Sequence, residues 1–289
     1  MNSSSTIGIV AGMPRAGTTF LYYYLSQHPQ IFASPRKEIN YYSVYYSRGL
    51  DWYLSLFKGI SDDQIGIDAS PFYYLDEESI KRIATDTPSS KVILGLRTPS
   101  EMVCAMYERI SSSTPNMPLF EDFIENYHWD IGDGLTLSLK AFPFSDRIKE
   151  FQQAFSDRLL LYSFKALNEN PLMVLQKVEQ HLGLSAYFNA ENFSNRIINA
   201  SKRRNSKYLS YFLKNESLID LMIKVLPRHT INQARELFLK ASKPHKTTKP
   251  PMNSQHLKLA KSYLAHEDKK VNAIFTSEQF VLGSEATIL

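Results

Sequence analysis

The sequence predicts an α/β fold: a three-layer sandwich with a central, mostly parallel sheet flanked by helices, and a helical carboxyl-terminal part. Three observations carry that reading. An apolar run, Ile7 to Val10, passes through a glycine-bearing loop into a helical pattern at Thr18, which reads as buried strand, turn and helix. Further apolar runs recur at Ile65 to Asp68, Lys91 to Leu96 and Leu159 to Tyr162, with helical patterns between them. That alternation suits a parallel sheet whose crossovers are helices. The 289 residues and 43% hydrophobic content suit one large domain with an ample core. We expect a single domain over 1–289, with an α/β core at 6–185 and a mainly helical extension at 186–289.

The first element organises the rest. In IGIVAGMPRAGTTFLYYYLSQH, Ile7 to His28, the loop from Gly12 to Gly17 feeds a helix start. Backbone N–H groups there have no intrahelical partner, so the stretch makes an anion site at the favourable end of the helix dipole. Its spacing resembles the nucleotide P-loop, G-x-x-x-x-G-K-[ST]. Gly12, Gly17 and Thr19 fit, but Thr18 stands at the lysine position, and Arg15 is the only cation in the loop. A P-loop lysine reaches the β- and γ-phosphates, so its absence opposes an ordinary ATP or GTP hydrolase. One early cation and two threonines suit a nucleotide with a single 5′-phosphate.

After His28-Pro29, which ends the helix and gives His28 a structural role, Gln30 to Ala33 reads as a short strand. The polar segment Ser34 to Asn40 follows it, where α/β folds place their sites. PRAGTTFL, HPQI and SPRKEINYY together resemble the 5′-phosphosulfate loop region of the sulfotransferases. Those enzymes use 3′-phosphoadenosine 5′-phosphosulfate (PAPS), and the likeness is to their carbohydrate-type and bacterial branch. The resemblance implies a P-loop-like fold. It also implies that Arg15, Ala16, Gly17, Thr18 and Thr19 bind the donor, with Arg15 standing where many members have lysine. It makes Glu38 the proposed general base, beside Lys37; without it, a Lys-Glu pair is ordinary surface chemistry. Asn40 departs from the histidine or phenylalanine frequent in the family, which bears on acceptor contacts.

Tyr41 to Tyr46 and Trp52 to Phe57 are rich in aromatics. Core packing accounts for most of them, and a groove for sugar or aryl rings is the alternative. The strand at Ile65 to Asp68 runs into Ala69-Ser70-Pro71-Phe72-Tyr73. The family has a similar acidic–small–Ser/Thr–Pro–aromatic step, which makes Asp68 and Ser70 acceptor-side candidates. Asp76 to Ala84 reads as a helix of mixed charge.

KVILGL, Lys91 to Leu96, is a buried strand that ends at Arg97-Thr98-Pro99-Ser100, with a helix from Ser100 to about Ile110. Pro99 suits the helix start. An arginine at the carboxyl end of a parallel strand faces the ligand crevice, and its planar fork suits a phosphate. The resemblance makes this the 3′-phosphate site: arginine, proline, then a serine eight residues after the arginine. Arg97 and Pro99 match, but the serine position holds Ala105. A lost contact to a charged oxygen costs about 1.5–3 kcal/mol unless something replaces it. Ser100 and the Ser111 to Ser113 run are the candidates. Cys104, on the same helix, reads as buried core.

Ser111 to Pro118 reads as a polar loop, a candidate lid. Trp129 to Phe144 is poorly patterned. Asp146 to Phe155 is an amphipathic helix with Ile148, Phe151 and Phe155 on one face. Leu159 to Tyr162 is a strand, and Leu172 to Leu182 a helix ended by Gly183. The preceding Asn170-Pro171 and the closing Gly183-Leu184 are a second likeness to the family. Beyond Tyr187 the chain turns helical and basic. Twelve Lys or Arg fall between Asn199 and Pro250, against Glu216, Asp220 and Glu236. This is a solvated face or an attractor of a polyanionic ligand. Within it, Arg203 stands where the family often supplies a further loop over the 3′-phosphate. Leu209 to Leu213, Ser217 to Leu226 and Ile231 to Leu239 are helix candidates. Asn253 to Phe275 reads as two helices, and residues after Thr276 as a fraying end.

The formal net charge is +4, and no nucleic-acid motif accompanies it, so nucleic acid is not an expected partner. One cysteine excludes an intramolecular disulfide and offers no zinc-type cluster. No secretory signal or membrane span is visible. Animal carbohydrate sulfotransferases carry an anchor before this loop, for which the few preceding residues leave no room, so a cytoplasmic enzyme is expected. The expected reaction is sulfuryl transfer from PAPS to a hydroxyl or amine of a carbohydrate, lipid-linked or small-molecule acceptor. No metal is expected, since one sulfuryl group carries less charge than a triphosphate. A small-molecule kinase of P-loop ancestry is one rival, opposed by the missing lysine. A non-catalytic nucleotide-binding module is another, suggested by Ala105.

Overall fold

The structure, a computed structural model, describes residues 6–34, 37–112, 114, 116–129, 135–193, 252–275 and 280–282. Its frame is a sheet of six strands in the order β2-β3-β1-β4-β7-β8. The strands are β1 (Ile7–Gly12), β2 (Ile31–Ala33), β3 (Ile65–Ala69), β4 (Lys91–Leu96), β7 (Leu159–Ser163) and β8 (Phe280–Leu282). The first five in spatial order run parallel, and β8 closes one edge antiparallel to β7. A separate antiparallel ribbon joins β5 (Tyr127–Trp129) to β6 (Leu135–Leu137).

β1 is buried along its whole length, as is β7. Strands covered on both faces read as continuous apolar runs rather than alternating ones, and IGIVAG and LLLYS have that composition. One face carries α1 (Thr18–Leu25), α7 (Phe164–Glu169) and α8 (Pro171–Leu182), packed through Leu21, Leu25, Leu167, Val174 and Val178. The other carries α3 (Glu77–Asp86), α4 (Pro99–Ser111), α6 (Phe144–Phe155) and the long helix α9 (Ser254–Ala273), packed through Ile80, Met102, Phe151 and Leu264. The short helices α2 (Leu50–Ser55) and α5 (Phe120–Glu125) complete the described set. The result is the three-layer sandwich with a mostly parallel sheet that the alternating runs predict.

Local chemistry sets the helix ends. The Asp76 side chain accepts from the Glu78 amide at 3.2 Å and starts α3. Asn170 accepts from the Met173 amide at 3.1 Å, Pro171 follows, and Gly183 at φ 77° ends α8, as a capped start and left-handed stop require. His28 is buried, with Nε2 at 3.0 Å from the Ser185 carbonyl and Nδ1 accepting from the Gln30 amide at 3.0 Å. Its role is structural, as the sequence implies.

Two features differ from the sequence reading. Residues 254–273 form one helix, not two, because nothing between Asn253 and Ala273 breaks the pattern. Residues 280–282 pair with β7 instead of fraying. Arg203, the basic stretch and its three helix candidates lie outside the described residues.

α9 is fastened to the sandwich by polar contacts. Asp268 accepts from the Ser100 amide at 2.9 Å and hydroxyl at 2.7 Å, and Asn272 accepts from the Thr98 hydroxyl at 2.9 Å. Glu267 accepts from the Ser145 amide at 2.6 Å. These acids satisfy first-turn donors of α4 and α6. The Ser100 hydroxyl, offered as a substitute at the 3′-phosphate, is thereby committed to Asp268.

Candidate active site

Parallel strands β1, β2, β3 and β4 bring their carboxyl ends to one edge of the sheet, where α/β folds form their crevice. The loop after β1 holds Arg15, Ala16 and Gly17, and α1 begins at Thr18 and Thr19. Gly17 sits at φ 98° and offers no side-chain cap, so the first-turn amides of α1 are left for a ligand. A Cβ on Gly17 would lie 2.0 Å from Leu167 Cδ2; a side chain is excluded by both backbone and packing.

The loop is held from beneath. The Met13 amide donates to the Gly95 carbonyl at 2.6 Å. The Tyr162 hydroxyl donates to the Ala16 carbonyl at 2.8 Å. Tyr162 crosses under β4 to reach it, which explains the glycine in KVILGL: a Cβ at Gly95 would meet the Tyr162 ring at 2.4 Å.

Arg15 stands at φ 65°. Burial lowers the pKa of its guanidinium, and the cations Arg109 and Arg97 push the same way, against Glu108 and Glu38. Its Nε is buried and has no hydrogen-bond partner among the described residues. A buried donor without a partner costs about 1–3 kcal/mol, so an anion in this loop would satisfy a real deficit.

Arg97 leaves the end of β4. Its Nη1 donates to the Arg15 carbonyl at 3.1 Å, and Nε lies 3.4 Å from a Glu101 carboxylate oxygen. The guanidinium sits 4.5 Å over the Phe164 ring. Burial lowers its pKa, while Glu101 opposes that shift. Ala105 lies one turn past Glu101 on α4, buried and without a polar side-chain atom.

After β2, Lys37 and Glu38 form an ion pair through Nζ and Oε1. Glu38 at φ 59° and Asn40 at φ 53° fold this segment into a tight turn. Asp68 and Ser70, expected on the acceptor side, are instead fully buried behind it. Asp68 Oδ1 accepts from the Ser70 hydroxyl at 2.6 Å, and Oδ2 accepts from Tyr73 at 2.8 Å and Tyr53 at 3.3 Å. Burial pushes the Asp68 carboxyl up to about 6, with the three hydroxyls opposing. Most of the aromatics at 41–57 are core: Tyr41, Tyr42, Tyr53 and Phe57 are buried.

The structure thus brings Arg15, Ala16, Gly17, Thr18, Thr19, Lys37, Glu38 and Arg97 to one edge. Sequence reasoning missed Tyr162, Phe164, Glu101, Asp268 and Asn272. Glu101 was findable, four residues after Arg97 on a helix; the others arrive from distant segments.

Among the described residues no helix is long and apolar enough to cross a membrane. A solved sulfotransferase from Alicyclobacillus acidocaldarius shares the fold, with a TM-score of 0.55 and 18% identity over 77% of this chain and 97% of that one. The membrane-associated sulfotransferase kil1 of Dictyostelium discoideum is 38% identical over 102 residues, which are 34% of this chain and 22% of that protein. The human heparan sulfate glucosamine 3-O-sulfotransferase 6 is 26% identical over 190 residues, 63% of this chain and 55% of that one. The chain spans between about a fifth and about half the length of such curated relatives. A family model for the sulfotransferase domain matches residues 7–234, most of the chain, and the protein belongs to that family of sulfuryl-transferring enzymes.

Proposed function

We propose that this enzyme moves a sulfuryl group from PAPS to a hydroxyl or amine, with a carbohydrate as the favoured acceptor class. The observation that carries the donor half is the buried Nε of Arg15, without a partner among the described residues, beside the uncapped start of α1. The donor supplies an activated sulfuryl group on a 5′-phosphate, and the residues present fit it. Arg15, the Gly17 to Thr19 amides and the two threonine hydroxyls would stabilise charge on the 5′-phosphate as its bond to sulfur breaks. Arg97 would hold the 3′-phosphate, the group that distinguishes this donor from ATP. Glu38 would take the acceptor's proton, with Lys37 beside it. The names of relatives that act on heparan sulfate support a carbohydrate acceptor. Lipid-linked and small-molecule acceptors are the remaining classes.

We read the whole chain as one domain. The α9 contacts to Ser100, Thr98 and Ser145 support that, since they tie the carboxyl-terminal part to the corner that holds Arg97.

A labelled-sulfate transfer assay against an acceptor panel, paired with calorimetry, tests the reading. Adenosine 3′,5′-bisphosphate should bind more tightly than ATP; the reverse order would end it. Arg15→Ala should lower turnover by at least about a hundredfold, the scale of one lost transition-state donor. Glu38→Gln should keep donor binding and lose transfer; full activity would require another base.

A further inference from the structure

We propose that Ser70, oriented by Asp68, is the positioning residue for the turn that carries Glu38. This rests on the reading of Glu38 as the base. The turn needs an anchor. Glu38 and Asn40 both have positive φ, a conformation that costs a non-glycine residue about 1–3 kcal/mol and persists only where its surroundings impose it. The Lys37–Glu38 ion pair cannot impose it, because the two are adjacent and Glu38 is 40% exposed.

The anchor lies in the Asn40 main chain. The Asn40 amide donates to Ser70 Oγ at 3.0 Å, and both groups are buried. On the other side, the Asn40 carbonyl accepts from the amides of Val44 at 2.8 Å and Tyr45 at 3.1 Å. Asn40 is therefore held at both main-chain polar groups, two residues past Glu38.

A hydroxyl has one proton and two lone pairs. Asp68 Oδ1 takes the Ser70 proton at 2.6 Å, so a Ser70 lone pair must face the Asn40 amide. Asp68 is fixed in turn by Tyr73 and Tyr53 on its other oxygen. The chain of contacts runs from β3 through Ser70 to the Glu38 turn. Because Asp68 and Ser70 are fully buried, neither touches an acceptor; they act through Glu38.

Ser70→Ala removes one hydroxyl from a buried site, and Ser70→Thr keeps it. Two readouts decide the matter. Amide hydrogen exchange at Asn40 reports the anchor whatever Glu38 does. It should rise at least tenfold in Ser70→Ala and return toward the natural rate in Ser70→Thr. In the transfer assay, Ser70→Ala should lower kcat at least tenfold with the donor KM unchanged, and Ser70→Thr should recover most of it. Unchanged exchange overturns the inference, as does a Ser70→Ala kcat within twofold of normal while exchange rises. Glu38→Gln, measured alongside, separates the two ideas. If it turns over normally, the reading of Glu38 as base has failed, and the exchange result still reports on the anchor itself. Should Ser70→Ala fold poorly, Ser70→Cys gives the same comparison, since a thiol is a weak hydrogen-bond acceptor: exchange at Asn40 should rise and kcat fall, and unchanged exchange or a kcat within twofold of normal would overturn the inference.

Discussion

The Arg97 guanidinium donates to the main-chain carbonyl of Arg15 at 3.1 Å. The residue proposed for one end of the donor thus braces the loop proposed for the other end. Arg97 also lies over Phe164 and beside Glu101, so its fork is oriented by three partners before any ligand arrives. An ammonium cannot lie flat on a ring and span two acceptors in this way. Arg97→Lys should therefore weaken adenosine 3′,5′-bisphosphate binding at least tenfold, about 1.4 kcal/mol, as read by calorimetry. An affinity within twofold of normal would show that the brace is dispensable.

Gly17 has no room for a side chain. Gly17→Ala would set a methyl 2.0 Å from Leu167 Cδ2 at a φ of 98°. Thermal or denaturant unfolding should show a loss of about 1–3 kcal/mol from overpacking and strain. Nucleotide binding should fall further than stability, since the same residue leads into the first-turn amides. Unaltered stability would mean that Leu167 yields and the loop adapts.

Ala105 is the departure from the family's 3′-phosphate pattern, and it sits one turn beyond Glu101, which already faces Arg97. A hydroxyl here adds a donor without adding much bulk. Ala105→Ser should leave the affinity for adenosine 3′,5′-bisphosphate equal or tighter in calorimetry. A marked weakening would show that this face of α4 is turned away from the ligand.

Two groups, Asp68 buried and His181 half-buried, should tilt stability with pH in opposite directions. Asp68 is raised from 3.8 to about 6 in the folded protein, chiefly by burial. The folded state then holds its proton more tightly than the unfolded chain between those values. Its contribution to stability falls as pH climbs from about 4 to 6, by about 3 kcal/mol at about 1.4 kcal/mol per pH unit. His181 is lowered from 6.5 to about 4, first by burial and then by Lys91, while its Nε2 lies 3.2 Å from the Val92 and Arg158 carbonyls. The unfolded chain binds that proton more tightly, so its contribution rises across the same window. Urea unfolding of Asp68→Asn and His181→Gln against the natural protein, at pH 4.5 and 6.5, should show slopes of opposite sign. Equal slopes would remove one of the two assignments.

The sequence shows β1, its loop, β4 with Arg97, and α8 clearly, because each is written in contiguous residues. A buried strand is a local apolar run, and Asn170-Pro171 and Gly183 mark both ends of α8. What escaped was assembled from far away. Asp68 reads as an acceptor-side candidate at a strand end. Its burial is set by Tyr53, fifteen residues earlier, and no local pattern announces that. Tyr162 reads as a plain strand residue until β4 lies beside it with a glycine at position 95. The edge strand at 280–282 is three residues long, too short for periodicity to register. Asp268 and Asn272 look like the solvated side of a helix, because their partners Ser100 and Thr98 are about 170 residues away.

That last distance has a consequence for how the protein is made. The corner bearing Arg97 leaves the ribosome long before Asp268 and Asn272 do. Until those two residues emerge, the Ser100 amide and the Thr98 hydroxyl face water. The crevice that opens first in the chain is therefore finished last, and a nascent chain paused before residue 254 should bind adenosine 3′,5′-bisphosphate more weakly than the full chain.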